Sequence, residues 1–453
     1  MISLLMVASV AIPATAAEGS AATSELILES RVLPLMSASE LRDLAINPQR
    51  LAASRELPVG RNAVLPKEVV GPAASFAQRA TEDSARPAPE KVADRSTAGA
   101  AAVSYPEPAH DMTWEECRDG LGTENRVYVK SRFAVCSGAS FTQIWSRNGQ
   151  PAGSSFFNLR VVGTIPLNSR TITYTYHYTD LGTVGTTGAA AMGITTAATI
   201  PFISPSTAKT TQGGTVMPST RTFAQLAASG KFAQTQTAAA GQGSNGTTDT
   251  VFGVYQPSVK IKPPVGYTLT GNLEGSPFMF APRWDKAPYL NSFATGGAVF
   301  SMITPMLYSK AADAPERAVA LHIEKAFKTP GLTQPPSSTK KVPGQTTDAP
   351  LTRLYQDRKR RDDNRAQAVN ACRRHFGPDY TAGGKDCDEY PFATTYEGAA
   401  GSLYDPEQLR DNYSVMALDS TQNQAAGTLL GQFLTKSRLI DGPDDGFLVQ
   451  IVP

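Results

Sequence analysis

Thr171-Ile172-Thr173-Tyr174-Thr175-Tyr176-His177-Tyr178 alternates strictly between two kinds of side chain. Successive residues of a strand point to opposite faces, so Ile172, Tyr174, Tyr176 and Tyr178 share one face and Thr171, Thr173, Thr175 and His177 the other. This predicts an antiparallel strand with one buried face. Outward from it, Phe156 to Ile165, Val251 to Tyr255, Ser258 to Ile261, Tyr267 to Leu269 and Phe278 to Ala281 are further strand candidates, separated by Gly, Pro and Asn punctuation. Short strands with repeated turn signals predict an antiparallel β-sandwich over residues 112–300. His177, on the polar face, is read as a structural surface histidine rather than a ligand.

Between these strands, residues 205–249 are rich in Thr, Ala, Gly and Gln. They are expected to form a long mobile insertion with one helix near Phe223 to Ala228. The insertion contains Gly241-Gln242-Gly243-Ser244-Asn245-Gly246, formally a GxGxxG. No strand leads into it and no helix follows, so a dinucleotide site is rejected. Towards the N-terminus, residues 18–109 carry Ala, Ser, Pro and charge with few aromatics, a composition that buries too little apolar surface to offset chain entropy. The expectation is a disordered leader or pro-region, with short helices around Ala38 to Leu51. Residues 1–17 combine the apolar run Ile2 to Ile12 with Ala14-Thr15-Ala16, which reads as a secretory signal peptide lacking a basic n-region.

The 453-residue chain has 42 basic and 40 acidic residues and a net charge of +2. Bulk electrostatics therefore commit it to no polyanion, and any nucleic-acid footprint must be local. No other stretch approaches the ~20 apolar residues of a membrane-spanning helix. The four cysteines, Cys117, Cys136, Cys372 and Cys387, are even in number and fall in two local pairs. In an exported chain this favours two disulfides, with local pairing the simplest of three connectivities. Neither pair has CxxC spacing, and the four histidines are dispersed, so a zinc site is not indicated.

The C-terminal part carries the chemistry. Cys387-Asp388-Glu389-Tyr390-Pro391-Phe392-Ala393 followed by Glu397-Gly398-Ala399 crowds three carboxylates into a short span. Such a group receives a divalent metal or works as general acid or base. Glu316 to Lys328 has helical periodicity, and a Pro/Ser/Thr-rich loop follows from Thr329 to Pro350. Leu351 to His375 is a long basic helix candidate holding Arg361, Arg365 and Arg373. A charge run is usually a solvated helix face; beside a phosphodiesterase site it would make phosphate contacts indifferent to base sequence. Asn423 precedes an apolar-periodic helix as its expected N-cap, and Phe447, Val449 and Ile451 alternate along a terminal strand. No GxSxG elbow supports a serine hydrolase, and three Trp give little for stacking sugars.

These motifs resemble the NucA/NucB family of secreted, non-specific deoxyribonucleases. The matching residues are Asp388-Glu389-Tyr390-Pro391, Glu397-Gly398-Ala399, Pro315-Glu316, His322-Ile323 with Ala326, and Asn364-Arg365. Gln422-Asn423-Gln424-Ala425-Ala426-Gly427 stands where the family has Asp-Asn-Arg-Gly-Ala-Gly, so Gln422 and Gln424 are departures. The resemblance covers residues 305–453. It implies Asp388, Glu397 and Asn423 as holders of one Mg²⁺ or Mn²⁺, and Asp388, Glu389 and Glu397 as catalytic, with Glu389 a candidate base. Arg361, Arg365 and Arg373 would bind phosphate, and the substrate would be DNA of any sequence. The middle region resembles the β-rich part of larger actinobacterial-type relatives, in which cysteines are expected at the positions of Trp284 and Ala298. The fold class is thus α+β: a disordered leader, a central antiparallel β-sandwich and a small C-terminal α+β nuclease-like domain. The alternative is an exported surface-polymer binding protein with a decayed nuclease-like tail, motivated by Gln422 and Gln424.

Overall fold

The computed structural model describes residues 25–76, 85–87, 103–122, 126–272, 274–290 and 296–453; the expected signal peptide at 1–17 lies outside them. The alternating stretch opens a strand, Thr171–Gly185, in which Ile172, Tyr174, Tyr176 and Tyr178 are buried and the intervening residues are half-buried. It sits in a nine-stranded sheet between Gln150–Thr164 and Lys231–Ala238. A second, six-stranded sheet centres on Val251–Lys262 paired antiparallel with Gly193–Ser204. Tyr174, Tyr176 and Trp145 from the first sheet and Val254, Tyr255 and Trp284 from the second belong to one apolar core. Trp284 lies directly opposite Ala298 across two short strands, so the two positions expected to hold cysteines in relatives are cross-strand neighbours.

Part of the expected leader is folded. Leu26–Leu33 is a strand inserted between Ala134–Arg147, antiparallel, and Tyr267–Gly271, parallel. Its Leu28, Val32 and Leu33 are fully buried. The helices Ala38–Ala45 and Pro48–Ala52 follow, the first closed by a capping box between Ser37 and Glu40. Average composition concealed this strand, because Leu-Ile-Leu-Glu-Ser-Arg-Val-Leu is surrounded by Ala, Ser and Pro. Residues 103–109, also assigned to the leader, are anchored on the C-terminal part. Tyr105 N–H donates to Gln432, and the Tyr105 ring packs edge-on against Phe433.

The supposed mobile insertion is also ordered, with strands Thr210–Gly214, Ser219–Thr222 and Lys231–Ala238 around the helix Phe223–Ala228. Thr and Gln are compatible with a pleated, half-buried surface, and Gln234 and Gln236 are fully buried. The rejected GxGxxG is a turn tied down by Asp249, whose carboxylate accepts from Gly241 N–H and Gly243 N–H.

The C-terminal core gathers Met306 and Tyr308, Val319 and Ile323, Leu429 and Phe433, and Phe447 and Val449. They come from the parallel strand pair Thr304–Ser309 and Phe447–Val452 and from the helices Arg317–Lys328 and Ser420–Lys436. A second strand pair, Lys385–Tyr390 with Ser414–Asp419, runs antiparallel with Asp388 opposite Met416 and Tyr390 opposite Ser414. The basic helix spans Arg358–Phe376, starting later than expected because the Asp357 side chain caps Arg360 N–H. The segment before it is extended, with bridges from Leu351 to Phe447 and from Arg353 to Thr395 and Asp441.

Candidate active site

The acidic strand Lys385–Tyr390 is clasped from both faces. Because its side chains alternate, Asp388 and Tyr390 point to the helix Arg317–Lys328, while Cys387 and Glu389 point to the basic helix. On the first side, His322 Nδ1–H donates to Asp388 Oδ2 at 2.5 Å, and His322 Nε2 meets Ser414 Oγ at 2.6 Å. His322 is 1% and Asp388 5% exposed, so the imidazole fixes one carboxylate oxygen in a dry environment. On the second side, the Cys372–Cys387 disulfide staples the basic helix to the strand; Cys117–Cys136 is the other bridge.

Glu389 is electrostatically distinct. Burial pushes its carboxyl up to about 7, the neighbouring Asp388 adds to the rise, and Arg365 and the Ala393 N–H act against it. Such a group exchanges a proton near neutral pH. Asp386, Asp388, Glu389, Arg361, Arg365, Arg353, Tyr355 and Asn423 all line one cleft of about 440 Å³. Anionic and cationic side chains therefore share this one cleft.

Of the expected site residues, Asp388, Glu389, Asn423, Arg361 and Arg365 converge on this cleft. Arg373 does not line it; it is exposed in the last turn of the basic helix, two turns beyond Arg365. Glu397 does not line it either. Its oxygens accept from Thr352 N–H at 2.9 Å and Thr352 Oγ1–H at 2.6 Å, and burial raises its pKa against those bonds. Gly398 beside it lies so close to Asn364 that a Cβ would come within 2.4 Å of the amide. Asn364 in turn donates to the Ala393 and Thr395 carbonyls and accepts from Ala400 N–H. The Glu-Gly-Ala step is thus a latch that holds the loop after the acidic strand.

The helix Ser420–Lys436 is capped by Asp419, which accepts from Thr421 N–H and Gln422 N–H. Asn423 is consequently not the N-cap but lies in the first turn, on the cleft side. Gln422 does structural work: its Oε1 accepts from Ala318 N–H at 2.7 Å, satisfying an amide at the start of the neighbouring helix. Gln424 lines the cleft without a charge. Sequence reasoning missed Ser414, Arg353 and Tyr355, which carry no motif, and placed His322 in a motif match without giving it a role. The His-Ile-x-x-Ala pattern was the available signal for His322. Among the described residues, no three His, Cys, Asp or Glu side chains converge as a metal cage.

Residues 338–449 match the family model described as deoxyribonuclease NucA/NucB. No curated protein and no solved structure matched the chain. The C-terminal region of this 453-residue protein therefore carries a NucA/NucB deoxyribonuclease domain, which supports a nuclease function.

Proposed function

We propose that this protein is an exported, metal-assisted deoxyribonuclease that cleaves DNA without regard to sequence. The observation that carries the reading is the His322-held Asp388 lying beside Glu389 in a cleft walled by Arg361 and Arg365. Indifference to base sequence is supported by the character of that wall, since guanidinium groups grip phosphates and carry no base code by themselves. Export is supported by the apolar N-terminal segment and by two disulfides. No helix of the described residues is long and apolar enough to cross a membrane.

Mg²⁺ is commonly held by only one or two carboxylates, with water and substrate phosphate filling its shell. The donor set here fits that mode rather than a full protein cage: Asp388 with Asn423 would hold the ion, and Asp386 lies on the same cleft. When bound, the cation supplies charge neutralisation at the phosphate and activates water. The Glu397 carboxylate, occupied by Thr352, is assigned to the latch and not to the metal.

The chain's own groups account for the remaining steps. Arg361 and Arg365 bind and orient the phosphate. His322 and Ser414 keep the Asp388 carboxylate in one orientation. Glu389 accepts a proton from the attacking water as the water oxygen bonds to phosphorus, and the leaving sugar oxygen, released as its own P–O bond breaks, takes a proton from solvent. The test is hydrolysis of plasmid DNA by full-length protein and by Asp388→Asn, with folding checked by circular dichroism. Loss of cleavage in a folded variant is expected; wild-type rates in that variant would reject the site.

A further inference from the structure

Tyr289, from the β-rich region, packs behind the wall of the cleft, against the lining residues Tyr355 and Arg353. Its ring stacks on Tyr355 with centroids 4.2 Å apart and an interplanar angle of 26°. Its hydroxyl accepts from Asp441 N–H at 2.8 Å. Asp441 Oδ1 then accepts from Tyr355 N–H at 2.6 Å and from Gln356 N–H at 3.3 Å. The Arg353 guanidinium lies 5.1 Å from both ring centroids and donates to the Leu434 and Leu439 carbonyls. Tyr355 is therefore fixed through its ring and its backbone. It nevertheless keeps 39% of its surface exposed and lines the cleft beside Arg361, whose guanidinium carbon is 5.6 Å from its ring centroid.

A rigid, partly exposed aromatic ring next to phosphate-binding guanidinium groups is the combination that grips single-stranded nucleic acid. Every base offers a π-face to such a ring, and stacking needs no particular sequence. In a duplex the bases are stacked inside the helix, so the ring reaches one only if it is drawn out. We infer that Tyr355, backed by Tyr289, is a base-stacking platform for the nucleotide beside the scissile phosphate, so that the cleft takes single-stranded DNA in preference to duplex. The inference rests on the nuclease reading and adds to it a substrate preference. It also makes the β-rich region a contributor to the site, with Tyr289 a positioning residue.

The experiment measures binding of a fluorescent single-stranded oligonucleotide to the full-length protein in EDTA, so that cleavage does not consume the probe. The same strand with abasic sites and its duplex are measured alongside. The expected result is that removing bases, or Tyr355→Ala, weakens binding roughly 5- to 100-fold, while Tyr355→Phe restores it. Quenching of 2-aminopurine in the strand should vanish in Tyr355→Ala and diminish in Tyr289→Ala; a merely structural tyrosine would not change that signal in a folded protein. Equal affinity for the abasic strand, or tighter binding of the duplex, would overturn the platform and leave the nuclease reading standing. Failure to bind any of the probes would overturn the platform, whereas the nuclease reading is judged separately by plasmid cleavage with metal.

Discussion

Asp388 and Glu389 are adjacent in sequence, yet strand geometry turns them to opposite faces, one against His322 and the other against Arg365. His322→Ala should leave Asp388 mobile and lower the cleavage rate by roughly 10- to 100-fold, the usual cost of losing an orienting partner. Steady-state kinetics on DNA checks this, and an unchanged rate would contradict it. Glu389→Gln should cost roughly 10²- to 10⁴-fold in rate while raising stability. The folded carboxyl titrates at about 7 against an ordinary 4.5, so between those values the folded chain holds a proton that the unfolded chain releases. Stability therefore falls as pH rises from 4.5 to 7, and the penalty is complete above 7. Glu389→Gln removes it. Because the residue is partly exposed, the gain at pH 8 is expected on the order of 1 to 2 kcal/mol, vanishing near pH 4; denaturant titrations at both pH values measure it. Asp388, Glu389 and the guanidinium wall were legible in the sequence because they form motifs or a charge run. The partners of Glu397 were not, since Thr352 meets it across 45 residues.

The disulfide Cys372–Cys387 joins the two elements whose relative position decides the distance from Arg365 to Glu389. With the cysteines 15 positions apart in the chain, replacing both with Ser should cost about 3 kcal/mol through the freed loop; the denaturant midpoint reads the loss. Two glycines make a contrast at the same scale. In Gly398→Ala the new Cβ meets the Asn364 side chain and should destabilise by about 1–3 kcal/mol. Gly427, inside the helix Ser420–Lys436, has open space at its Cβ position, so Gly427→Ala should stabilise by about 0.5–1 kcal/mol. Opposite signs in thermal melts are the expected result. Elements with a clear period were legible, among them Thr171–Gly185 and the helix Arg317–Lys328. Leu26–Leu33 was not, because its partners Tyr267–Gly271 and Ala134–Arg147 lie far along the chain and only that pairing gives its leucines a core to enter.

Across the whole molecule, the β-rich region and the nuclease domain meet through a buried charge lattice. Asp445 accepts from Arg132 at 2.6 Å and also from Arg283, while Asp285 binds Arg438 at 2.7 Å and Arg283 at 3.2 Å. Burial alone would push the Asp445 carboxyl up, but the charges of Arg132 and Arg283 outweigh it and hold it below its usual range. Its contribution is therefore present at neutral pH and lost as pH falls below about 4. Asp445→Ala would leave the buried Arg132 guanidinium without its carboxylate and Arg283 with Asp285 alone, and should cost about 3–5 kcal/mol, measured by chemical denaturation. Residues 305–453 expressed alone would expose this lattice and should be far less stable than the full chain. The central claim, however, is chemical. The most direct measurement is plasmid DNA degradation by the full-length, disulfide-intact protein with Mg²⁺ or Mn²⁺, with EDTA, and with Asp388→Ala. The account predicts degradation with metal that stops in EDTA and in the variant. An intact plasmid under every condition, or cleavage unaffected by Asp388→Ala, would contradict it.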